Sequence, residues 1–88
     1  MTVKTMRYGK QKLYVTYSNN WCVWTSYNVP IAALDKTNDI FYYTDKKYSP
    51  TTSKHLNQVK KINNMVPTQV ETSETHLLQL AQRQMVEV

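Results

Sequence analysis

Residues 42–64, YYTDKKYSPTTSKHLNQVKKINN, hold three tyrosines, five lysines, a run of hydroxyls and one of the two histidines. Ser49-Pro50 announces a helix, because serine caps free backbone N–H groups and proline at the first helical position forfeits no hydrogen bond. Thr51, Thr52 and Ser53 then fall in the first turn, where N–H groups point outward and the dipole is positive. With Lys46, Lys47 and Lys54 close by, that turn suits a phosphate or a carboxylate. Tyrosine faces stack on bases while lysines and hydroxyls hold phosphate. The binding face expected from this pattern comprises Tyr43, Lys46, Lys47, Tyr48, Thr51, Thr52, Ser53, Lys54, His55, Lys60 and Lys61. Two plainer readings stand beside it: the lysines are solvated surface, and Thr52 and His55 lock the strand–helix junction by hydrogen bonds.

The elements that must position these residues can be read from periodicity. Leu13 to Tyr17 and Trp21 to Tyr27 alternate as half-buried strands and pair through the turn at Ser18-Asn19-Asn20. Val3 to Tyr8 precedes them as a strand. Asn28-Val29-Pro30 interrupts, since proline cannot donate to a ladder. Ile31 to Leu34 and Ile40 to Thr44 complete a meander. In the first helix, Leu56, Val59 and Ile62 recur at helical spacing and should face a core, with Lys54, Lys60 and Lys61 largely outside that stripe. Asn63-Asn64 and Pro67 end it. Thr68-Gln69-Val70-Glu71 reads as a capping box, and Ser73 as a second cap with Glu74 in the first turn. Leu77, Ala81, Met85 and Val88 then form an amphipathic stripe, broadened by Leu78 and Leu80. The fold class expected is α+β: a small antiparallel sheet of four to five strands covered by one helix, with a C-terminal amphipathic helix. Residues 1–66 form the basic β-meander and helix domain. Residues 67–88 form the C-terminal helix, which either packs on the sheet or pairs two copies as a homodimer.

Composition narrows the function classes. Residues 1–66 carry ten Lys/Arg against three Asp, and residues 67–88 one Arg against three Glu. A basic body seeks a polyanion or an acidic protein surface. Seven tyrosines and two tryptophans exceed the needs of a small core, so some rings should be exposed at an interface. One glycine excludes the phosphate-binding loop and the dinucleotide fingerprint. Cys22, His55 and His76 show no metal-ligand spacing, and no carboxylate pair is placed for acid–base work, so neither a metal nor a cofactor is expected. Cys22, inside a strand, reads as a small apolar side chain, His55 as a partly buried one bonding a neighbour, and His76 as solvated. The single cysteine, the lack of an apolar membrane-length run and the polar N-terminus MTVKTMRYGKQK point to the cytoplasm and to no membrane partner. The protein is expected to be a binding protein and not an enzyme.

Tyr27 to Ala32, Y-x-x-P-[IV]-A, and Tyr48 to Asn57, Y-S-x-T-T-S-K-H-x-N, resemble a family of small phage and mobile-element proteins. The resemblance covers about half the chain and implies a strand–turn–strand–helix module of phage type; it implies no activity. Two function classes follow. The first is an inhibitor or adaptor acting on a host protein or nucleoprotein in the host cytoplasm, such as a host defence nuclease complex in the manner of an anti-CRISPR protein. The second is a non-sequence-specific nucleic-acid-binding module for DNA or RNA, since nine lysines against two arginines suit backbone contact better than base reading. A continuous basic stripe with outward tyrosines would favour nucleic acid, and a flat Trp/Tyr patch rimmed by charge a protein partner.

Overall fold

The alternating runs of the N-terminal half do form strands, in a computed structural model that describes residues 4–86, with side chains through Gln82. The elements in chain order are β1 (Lys4–Arg7), β2 (Leu13–Tyr17), β3 (Trp21–Ser26), β4 (Val29–Asp35), β5 (Ile40–Thr44), α1 (Pro50–Ile62), β6 (Thr68–Thr72) and α2 (Glu74–Val86). The strands make one sheet in the order β1-β2-β3-β4-β5-β6. The first five are antiparallel neighbours; β6 lies parallel to β5, with Phe41 opposite Gln69 and Tyr43 opposite Glu71. The class is α+β, but among the described residues the sheet is six-stranded and mixed, and it carries two helices.

Strand alternation explains how both faces are covered. Leu13, Val15, Trp24, Ala32 and Phe41 pack with Val59 of α1. Their neighbours Val23 and Ala33, with Trp21 and Tyr42, pack with Leu77 and Leu80 of α2. Successive side chains point to opposite faces, so the helices lie on opposite sides of the sheet. The α2 stripe that could have paired copies therefore packs on its own sheet through Leu77, Leu80 and Ala81. Leu78, also read into that stripe, is instead 44 % exposed. Met85 and Val88 lie outside the described side chains, and Val3, read into the first strand, outside the described residues.

Four expectations are corrected. Residues 68–72 form a strand, not the start of a helix. The sequence T-Q-V-E-T fits a capping signature, but the free edge of β5 offers a ladder that satisfies its backbone. The division at residue 66 is consequently not a boundary, because β6 completes the sheet of the preceding strands. Pro30 lies inside β4, opposite Thr25, where a register irregularity between Trp24 and Thr25 absorbs its missing donor. The break falls earlier, at Tyr27-Asn28, where both residues take positive φ (50° and 68°). Finally, Ile62 does not face the core: it is 53 % exposed. The buried row of α1 is Thr52, His55, Val59 and the capping Asn63, and at 100° per residue Ile62 lies about 65° off its centre, outside His55 at the row's edge.

Candidate functional site

Strand direction gathers four segments at one end of the sheet. Parallel β5 and β6 both run to this end, and each is followed by a helix, so the N-termini of α1 and α2 lie there together. Antiparallel pairing brings the β1–β2 turn (residues 8–12) and the β3–β4 turn (residues 27 and 28) to the same end. Hydrogen bonds stitch the segments: Tyr27 N–H donates to Lys12 O (3.1 Å) and Asp45 N–H to Thr72 O (2.8 Å). Lys46 Nζ donates to Glu74 Oε2 (3.0 Å) between the two helix starts. This end carries Lys10, Lys12, Lys46, Lys47 and Lys54 against Asp45 and Glu74. Ligands of sheets with parallel strands favour this position, beyond the carboxyl ends of the strands and at the positive ends of helix dipoles.

A polar fastener underlies that end. Ser49 caps α1, accepting from Thr52 N–H (3.4 Å), while Pro50 occupies the first turn. Ser26 Oγ, at the end of β3, lies 3.1 Å from Thr52 Oγ1 and 2.8 Å from His55 Nδ1. All three side chains are buried, Ser26 at 1 % and His55 at 3 % exposure. Burial lowers the His55 pKa below its ordinary 6.5, and the Lys54 charge lowers it further, so the imidazole is neutral at pH 7. A Ser–His contact of this length is also the first half of a nucleophile–base pair. Ser26 is only 1 % exposed, however, and among the described residues no carboxylate bonds His55. The arrangement suits a joint between strand and helix.

Above the fastener stands Tyr27, 53 % exposed, its ring stacked on His55 at a centroid distance of 6.1 Å and 22° between planes. A bulky side chain at positive φ costs about 1–2 kcal/mol, where asparagine or glycine would be easily accommodated. Clefts flank the turn on either side of Val29. One, of about 360 Å³, is lined by Ser26, Tyr27, Tyr48, Ser49 and Thr52. The other, of about 400 Å³, reaches Asn28, Pro30, Glu74, Thr75 and Leu78. The Tyr48 hydroxyl is buried and has no hydrogen-bond partner among the described residues. Burial raises its pKa, and nearby Glu74 adds to the rise, against lowering contributions from Thr44 and Lys46. Lys46 Nζ sits 5.2 Å from the Tyr48 ring centre.

A family profile matches residues 1–75, from the N-terminus through β6 to the start of α2. The chain belongs to DUF8033, a family of unknown function. No curated protein and no solved structure matches it. The matched span of DUF8033 contains the whole fastener and the four segments above it. The two stretches 27–32 and 48–57, distant in sequence, adjoin here: Ser26 immediately precedes the first, and Thr52 and His55 belong to the second.

The eleven residues expected to form a binding face are only partly brought together. Lys46, Lys47, Thr51, Ser53 and Lys54 are exposed at the loop end, and Tyr48 is half-buried there. Thr52 and His55 are buried and turned inward, as the locking alternative held. Lys60 caps the ring of Tyr43 at 4.6 Å, and Lys61 lies in the last turn of α1, about 10 Å from Lys54 along the axis. His76, read as solvated, is half-buried, with Nδ1 2.7 Å from Thr72 Oγ1 and its ring edge-on to Tyr42. Sequence reasoning missed Lys10, Lys12, Tyr27, Asn28 and Ser26. The signal available was parity: in a meander, alternate turns share an end, so the first and third had to join the β5–α1 connection.

Proposed function

We propose that this DUF8033 protein is a non-catalytic, non-sequence-specific nucleic-acid-binding module that grips its ligand at the loop end of the sheet. The observation that carries the reading is the convergence there of five lysines and two helix N-termini around one exposed tyrosine. Lysines supply sequence-independent phosphate contact. The aromatic surplus favours this reading over a flat protein-binding patch, because Trp24 is buried and Trp21 stacks on Tyr42 beneath α2.

The test is fluorescence anisotropy with mixed-sequence DNA and RNA oligonucleotides across a salt series. Affinity should fall with a log–log slope of about −0.7 per phosphate contact on a single strand. Replacing Lys10, Lys12, Lys47 and Lys54 with alanine should flatten the slope by about 0.7 for each phosphate that no longer meets a lysine. Replacing Lys60 and Lys61 should leave it nearly unchanged. Absence of binding by the native protein at low salt would overturn the reading. The second reading, an inhibitor or adaptor of phage type directed at a host protein, is favoured by Ile62 and Met65, 53 % and 88 % exposed near the far end of α1. Capture of a host protein that survives nuclease treatment and is lost in Ile62→Ser/Met65→Ser would support it.

A further inference from the structure

We infer that Tyr27 is a stacking platform for an unpaired base, so that nucleic acid enters the loop end as a single strand. The inference rests on the nucleic-acid reading and adds to it a residue, a contact type and a strand form. One face of the Tyr27 ring lies along the His55 imidazole, while the side chain stays 53 % exposed. The ring is therefore backed by His55 on one face, while about half of the residue's surface stays in solvent. Its support does not swing, because His55 is held by Ser26, and Ser26 also meets Thr52. Its backbone is equally fixed, by a two-residue turn and by the bond from Tyr27 N–H to Lys12 O (3.1 Å). A rigid, presented ring loses little entropy when a base settles on it.

The backbone makes the presence of the ring informative. Position 27 has φ of +50°, a conformation that asparagine or glycine adopts far more readily. A residue chosen for the turn alone would not be tyrosine. The platform is also flanked by phosphate-seeking groups: Lys12 sits across the Tyr27 N–H bond, and Lys54 precedes His55. Stacking on an aromatic face needs a base out of its pair, and every base has such a face, which agrees with a lysine-rich, sequence-tolerant grip. In an intact duplex the faces are already stacked, so Tyr27 would be idle and the lysines alone would act.

The decisive variant is Tyr27→Asn, which removes the ring and relieves the turn. It should melt at a higher temperature than the native protein and bind a 12-nucleotide single strand about fivefold to a hundredfold more weakly. Tyr27→Phe, which keeps the face and drops the hydroxyl, should bind within about twofold of native. Binding to the duplex of the same sequence, weaker at the outset, should not change in either variant. Native affinity of Tyr27→Asn for the single strand, with the lysine variant still impaired, would overturn the platform and leave the nucleic-acid reading standing. An equal loss on single strand and duplex would also overturn it. If the native protein binds neither form, the nucleic-acid reading falls first and the platform with it.

Discussion

His55 sits where a charge would be costly, and the joint between β3 and α1 depends on its staying neutral. Its pKa is depressed by burial and then by Lys54. A depressed folded pKa means that the unfolded chain binds the proton more readily below about pH 6.5. The contribution of His55 is therefore fully present above that value and is lost as pH falls through its folded pKa. Thermal melts should show the native protein losing stability as pH falls below about 6.5, and His55→Gln losing less over the same range. At pH 7.5, His55→Ala should cost about 1–3 kcal/mol by urea unfolding, because it leaves the Ser26 and Thr52 hydroxyls to satisfy each other beside a void. An unchanged pH profile in His55→Gln would place the titrating group elsewhere.

At the scale of elements, α1 shows why a correct helix can be given the wrong face. Ser49-Pro50 marks its start, and Ser49 does cap it. Its buried row, however, is polar at three of four places. Thr52, His55 and Asn63 go inward because each finds a bond there: Ser26 for the first two, and Val59 O, 2.9 Å away, for the Asn63 amide. Apolar spacing alone selects Ile62, and burial selects Val59 and its polar companions. Val59→Ala should accordingly cost about 1–3 kcal/mol, while Ile62→Ser should stay within about 0.5 kcal/mol. Equal effects in denaturant titrations would contradict this face. The same limit applied to β6, whose polar T-Q-V-E-T lacks alternation and earns its place through a neighbour. β2 and β3 were legible because their alternation is complete: Leu13, Val15 and Tyr17 against Tyr14 and Thr16, and the register Val15 to Trp24 follows from the turn between them. The candidate site was half legible. The β5–α1 lysines are contiguous in sequence, whereas Tyr27 and Lys12 join them only through pairing of strands.

For the whole molecule, β6 and α2 are structural and not an appendage. Removing residues 68–88 would strip β5 of its parallel partner and uncover Val23, Ala33, Trp21 and Tyr42. The shortened chain should melt well below the full one or self-associate through the bared face, as read by thermal melting and light scattering. Matching behaviour of the two chains would show that the sheet needs only α1. The Lys46–Glu74 pair across the helix starts is exposed on both sides, so its loss should matter little for stability and chiefly free Lys46 for a ligand.

The strand order also has a consequence in time. From β1 to β5, each strand's partner is its neighbour in the chain, so the meander can assemble in the sequence in which a ribosome delivers it. β6 cannot join until α1 has crossed the sheet and brought the chain back parallel. α2 follows β6, so the face bearing Trp21 and Tyr42 is the last to be covered. If assembly follows that order, the chain passes through an interval with one covered face and one wet apolar face. That interval is when a chaperone would find it, and when two unfinished copies would stick.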